Sequence, residues 1–141
     1  MKDLHSRIAI DQSIAPAVYA ADNVPVAVDL LGFDSAEIEI GVGVGGITFS
    51  GTNKIEFVAT HSDDGLTYDP VADKDLLGVS GISGGIIKSL VTAHASADVS
   101  RFGYIGGRRY VKLLADFSGT HGTGTPISAN IIKGNPDRGQ S

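Results

Sequence analysis

From Arg109 onward, Val111, Leu113, Ala115 and Phe117 fall on one side of the chain, and Tyr110, Lys112, Leu114 and Asp116 fall on the other. Side chains return to the same face at every second residue only in an extended backbone. The stretch is therefore a half-buried strand and has no helical period. Ile127, Ala129 and Ile131 repeat the pattern after a turn-forming run from Ser118 to Pro126. Two adjacent strands joined by a polar Gly/Thr loop are most simply an antiparallel pair. Before them, Val99 to Ile105 reads as a further strand closed by a Gly106-Gly107 turn.

The same reading extends toward the N-terminus. Ala36 to Val44 puts Ile38, Ile40, Val42 and Val44 on one face and Glu37 and Glu39 on the other; Lys54 to His61 aligns Ile55, Phe57 and Ala59. Val24 to Leu31, with Pro25 marking a sheet edge, Ile47 to Ser50, Leu66 to Val71 and Ile86 to Ala93 are further strand segments. Ala72 to Leu77 is the one plausible helical turn. The 19 glycines agree with many turns and few helices, since glycine is costly inside regular elements and cheap at positive φ. About eight or nine closely spaced strands specify an all-β fold, an antiparallel β-sandwich of jelly-roll-like kind. A chain of 141 residues supports one such domain, spanning residues 24–136. Residues 1–23, interrupted by Pro16 and without a persistent period, read as an N-terminal arm, and residues 137–141 as a C-terminal tail.

Composition narrows the function classes. Lys+Arg total 11 against Asp+Glu 16, a net charge of −5, and the basic cluster Arg108, Arg109 and Lys112 is too small for a nucleic-acid footprint. Without cysteine there is no disulfide, thiolate catalysis or Cys-ligated zinc. The N-terminal residues have charges where a signal peptide would have an apolar run, and no stretch reaches the roughly 20 apolar residues of a membrane span. The expectation is a soluble protein made in a cytoplasm, with no membrane or nucleic-acid partner.

Two glycine strings match catalytic or cofactor patterns in letters only. Gly41 to Gly46 fits G-x-G-x-x-G, but a dinucleotide site needs that loop to open a helix, and the β-prone Ile47-Thr48-Phe49 follows. Gly81 to Gly85 fits G-x-S-x-G, yet Ile86-Ile87 follows where a nucleophile elbow needs a helix. Asp63, Asp64 and Asp69 cluster near a turn without the spacing of an EF-hand loop. The histidines His5, His61, His94 and His121 are scattered, so no acid, base, nucleophile or metal set converges. The expectation is a protein without catalytic residues or cofactor. Candidate interface residues are the aromatic and arginine group Tyr104, Arg108, Arg109 and Tyr110, and the apolar arm residues Ile8, Ile10, Ile14 and Tyr19.

Three segments, AVDLLGFDSAEIEI, FVATHSDDGLTYDPV and FGYIGGRRYVKLLADFSGTHGTGTPISANIIKGNP, resemble a group of small virion proteins of tailed bacteriophages. The S-D-D-G turn followed by Tyr68, the string G-Y-I-G-G-R-R-Y-V and the later G-T-P-I-S-A are the most specific pieces. The resemblance implies a capsid decoration or cement protein on the outside of the head shell. Its partner would be the major capsid protein, and it would form a homo-oligomer (dimer or trimer). A neck or tail connector and a carbohydrate-binding module of the virion are the alternatives; the lack of tryptophan weakens the last.

Overall fold

The computed structural model describes residues 3–94 and 96–136. Among the described residues ten strands run in chain order: β1 (Ile8–Tyr19), β2 (Val28–Asp29), β3 (Phe33–Val42), β4 (Lys54–Ser62), β5 (Asp69–Pro70), β6 (Leu76–Leu77), β7 (Ile86–Leu90), β8 (Asp98–Tyr104), β9 (Tyr110–Ser118) and β10 (Thr125–Pro136). They form two antiparallel five-stranded sheets. The first has the order β1-β10-β3-β8-β6; the second runs β2-β9-β4, with β5 and β7 sharing the outer edge of β4. The fold is the antiparallel β-sandwich that the alternation requires.

The alternating residues meet between the sheets. Ile38, Ile40 and Val42 from β3 and Ile127, Ala129 and Ile131 from β10 face Ile55, Phe57 and Ala59 from β4 and Val111, Leu113 and Ala115 from β9. Each fully buried large aliphatic or aromatic side chain contributes about 1.5–3 kcal/mol relative to exposure. A one-residue slip in any of these strands would turn its whole apolar set to water, so the register is strongly held.

Two expectations change. β9 and β10 do not pair with each other: β9 lies between β2 and β4, and β10 between β1 and β3 in the opposite sheet. The Gly/Thr loop between them crosses from one sheet to the other instead of folding back as a hairpin. His121 in that loop is buried against Phe117, which anchors the crossing. Second, the segment expected to be an arm contains β1, which pairs along its length with β10. Its period was hidden because the register shifts twice, between Gln12 and Ile14 and between Ile14 and Ala17. Each added residue swaps the faces, so Ile8 and Ile10 point away from the core while Ile14, 1% exposed, points into it. Pro16 is tolerated because it lies at a bulge on a sheet edge, where a missing N–H costs little.

Smaller differences follow from local bonding. Of Val24–Leu31 only Val28 and Asp29 enter a ladder, because upstream the Asn23 side chain bonds the β9 backbone at Leu113 and Ala115. Ile47–Ser50 is a loop that seats Phe49 in the core, and only Asp69–Pro70 of Leu66–Val71 pairs. Asp73–Asp75 forms a single 3-10 turn, and Leu76–Leu77 then pairs with β8. The tail at residues 137–141 lies outside the described residues.

Candidate interaction site

At one end of the sandwich the β2–β3 loop, the turn after β4 and the β8–β9 loop surround a cleft of about 540 Å³. Its floor and walls include Leu30, Phe33, Tyr104 and Ile105; Asp63, Arg108 and Arg109 stand at its polar side.

The turn after β4 is shaped by its own side chains. Ser62 Oγ donates to Asp64 Oδ1 at 2.9 Å and accepts from the Gly65 amide at 3.0 Å. The amides of Leu66 and Thr67 donate to the same Asp64 oxygen. These bonds, with the Thr67 and Leu66 amides strongest, hold the Asp64 carboxyl down at about 2. Asp64 is thus spent on its own loop, whereas Asp63 and Asp69 turn toward Arg108. The Arg108 guanidinium reaches Asp69 Oδ2 at 2.7 Å and lies 4.0 Å from Asp63 Oδ2. Arg109 forms a bidentate pair with Asp29, both contacts 2.9 Å, and its guanidinium carbon lies 5.0 Å from the Tyr110 ring centre. The Asp29 carboxyl is lowered chiefly by this pair. Lys112 stacks over Tyr68 at 3.8 Å.

A buried polar node lies under the β8–β9 loop. Tyr104 Oη is 2.7 Å from His61 Nδ1 and accepts from the Arg108 amide at 3.2 Å. Asp75 Oδ2 faces His61 Nε2 at 3.8 Å and accepts from the Ala72 amide. With a carboxylate on that side, the fitting tautomer carries its hydrogen on Nε2, so Nδ1 accepts from the tyrosine hydroxyl. Burial lowers the His61 pKa, the Arg108 cation lowers it further, and Asp75 opposes both. Burial also raises the Tyr104 hydroxyl. The node ties β4 of one sheet to β8 of the other. Gly106 is needed above it, since a Cβ there would come within 2.7 Å of the Tyr104 ring.

Of the residues singled out in sequence, Arg108, Arg109 and Tyr110 meet at this end, and Tyr104 lies beneath them. Tyr104 is 5% exposed, so it supports the loop and does not itself present a contact surface. Ile14 is likewise a core residue. Ile8, Ile10 and Tyr19 lie on β1 and do not line the cleft. Asp29, Asp69 and His61 escaped the sequence reading as members of this cluster. Arg109 and Asp29 are separated by 80 residues and Arg108 and Asp69 by 39, so no local spacing signals either pair.

The two glycine strings are structural. Gly41 lies within β3, which ends at Val42, and a loop follows where a nucleotide site would need a helix; Gly85, at φ +82°, leads into β7 only 2.7 Å (measured from an added Cβ) from the Ala59 carbonyl. The amides of Gly81 and Ile82 donate to the Asp73 carboxylate, which pins that loop. Among the described residues no group of three or more His, Cys, Asp or Glu side chains could hold a metal ion.

No family model and no curated protein matches the chain. Among solved structures it is similar to one described as "Bacillus endospore appendages form a novel family of disulfide-linked pili". That superposition has a TM-score of 0.40 at 12% identity and covers 93% of this chain and 90% of the other.

Proposed function

We propose that the chain is a structural, non-enzymatic decoration or cement protein of a tailed-bacteriophage head, and that it docks through the loops around the cleft. The observation that carries the reading is the junction of the two most specific stretches of the virion-protein resemblance. The S-D-D-G turn and the G-G-R-R-Y loop, distant in sequence, meet through Arg108 with Asp69 and Asp63. Tyr110 packs against Gly65 of the same turn. The result is a shaped, pre-organised surface of aliphatic groups flanked by arginine and tyrosine, the last two being residue types that carry binding energy at protein interfaces. Because the loops are already held by ion pairs and the His61–Tyr104 node, docking requires little new ordering.

The mechanism is mechanical. Binding only the assembled shell stabilises it by mass action, and many copies together resist the separation of neighbouring coat subunits. Removing residues 1–23 does not test this, because it also removes β1 and the core residue Ile14. The direct test is co-sedimentation with head shells lacking the protein, followed by copy counting. Saturable binding at a stoichiometry near that of the coat subunits, lost in an Arg108→Glu/Arg109→Glu variant with an unchanged melting temperature, supports the reading. A few copies per particle move the protein to the neck or tail. No binding to shells overturns the reading and returns glycan binding to the front.

A further inference from the structure

The edges of the two sheets are treated differently. On the second sheet, β5 and β7 cover β4, and the side chains of Asn23 and Asp22 bond the β9 backbone at Leu113, Ala115 and Phe117. On the first sheet, the outer edge of β1 carries no strand among the described residues. Its second half is broken by two bulges and Pro16, devices that block strand addition. Its first half is not. Ile8 to Gln12 pair one-to-one with Gly134 to Asn130, a regular, unblocked edge. An open edge of that kind is a template for another strand.

The residues along it are complementary to themselves. In an antiparallel pair related by a two-fold axis through Ala9, Ala9 lies opposite Ala9 of the second copy. Ile8 lies opposite Ile10, and Arg7 opposite Asp11. Ile8 and Ile10 share a face of the strand, so all four isoleucines fall on one side of the ladder; Arg7, the last residue of the 3-10 turn, stands at its end, within a long side chain's reach of Asp11 of the second copy. Ile10 is 58% exposed, on the face away from the core, as its partner Ile132 is next to the buried Ile131. Asp11 is half exposed, with Lys133 2.7 Å from its carboxylate. Arg7 closes the 3-10 turn immediately before the strand, is exposed, and makes no ion pair among the described residues. The longer of the other uncovered stretches among the described residues, on β7 and β8, have no such match; β7 carries a single charged residue, Lys88. On β8, Asp98 and Arg101 are three residues apart and so lie on opposite faces.

We infer that the first half of β1 is a homodimer interface, in which two copies join edge to edge about Ala9 and the first sheets become one continuous ten-stranded sheet. The inference does not depend on docking to a phage shell, since it concerns the purified protein alone. Antiparallel cross-strand pairs of opposite charge and of β-branched residues each add to such a ladder, and like charges in the same places oppose it. The pairing is isologous, as a closed dimer requires.

The test is sedimentation equilibrium of the full chain over a concentration series at low salt. The wild type is expected to show a monomer–dimer equilibrium. Arg7→Asp and Asp11→Arg, each placing like charges opposite one another twice, should each weaken the dimer about tenfold or more. Ile10→Lys should do the same. Melting curves of the variants show that the fold persists. An equimolar mixture of Arg7→Asp and Asp11→Arg chains should dimerise again, because each reversed charge then meets its opposite. A wild type monomeric at every concentration, a dimer indifferent to both reversals, or a mixture that fails to recover would each overturn the proposal.

Discussion

Each end of the sandwich buries a histidine, and the two are handled in opposite ways. At the cleft end, both ring nitrogens of His61 face polar groups, Tyr104 Oη and the Asp75 carboxylate, and the node continues through the Arg108 amide into the surface ion pairs. At the far end, Phe49 lies against His94 and His121, with ring centres 5.5 and 6.3 Å apart, and Phe117 meets His121 edge-on at 4.7 Å. There Nε2 of His121 donates to the Ser118 carbonyl at 2.8 Å, while Nδ1 is buried with no partner among the described residues. One end uses imidazole as a connector between sheets, the other as an aromatic plug beneath a crossing loop. The lesson is that what the ring nitrogens meet, and not burial alone, decides whether a buried histidine is coupled to the charges around it.

Breaking the plug should cost most. Phe49→Ala is expected to destabilise the domain by about 3–5 kcal/mol in chemical denaturation, the range for emptying a buried aromatic site. At the other end, His61→Phe leaves the Tyr104 hydroxyl proton without its acceptor and should cost about 1–3 kcal/mol. His121→Phe should stay within about 1 kcal/mol of wild type, because it keeps the ring packing and loses a single hydrogen bond. Equal costs for the two histidine substitutions would erase the contrast between the ends.

The same contrast has a pH signature. The folded-state pKa of His61 is lowered below its ordinary 6.5 by burial and the Arg108 cation, so the unfolded chain binds the extra proton more readily. The corresponding stability is complete above pH 6.5 and is lost as the pH falls from there through the folded value. Denaturation between pH 7.5 and 5 should show this slope in the wild type, with the slope reduced in His61→Phe. Asp64 acts in a separate window. Its carboxyl is held at about 2 against an ordinary 3.8, so its contribution is present above 3.8 and lost as the pH falls toward 2. Asp64→Asn should flatten only that acid limb. The smallest effect is expected at the surface. Arg109→Ala should barely shift the melting temperature, and less still at high salt, because exposed ion pairs are screened and offset by side-chain entropy.

Much of the sandwich was legible because burial on one face of a strand writes itself into every second residue. β3, β4, β9 and β10 could be read that way within a few residues of their ends. β1 could not, since each bulge moves its apolar side chains to the other face and cancels the period. The cleft was half legible. Arg108, Arg109 and Tyr110 stand out in the chain as a group, but the carboxylates that hold them, Asp29, Asp63 and Asp69, are distant in sequence and carry no spacing rule.

By itself, the sequence determined that this chain builds an all-β sandwich with glycine turns and without cysteine chemistry, because those properties depend on local periodicity and composition. Only the tertiary structure decided which strands pair, that the N-terminal segment is a sheet edge, and that His61, Tyr104 and Asp75 form one node. These depend on how the loops carry the chain back and forth between sheets. A polar Gly/Thr loop suits a hairpin or a crossing equally well until burial of the His121 side chain selects the crossing.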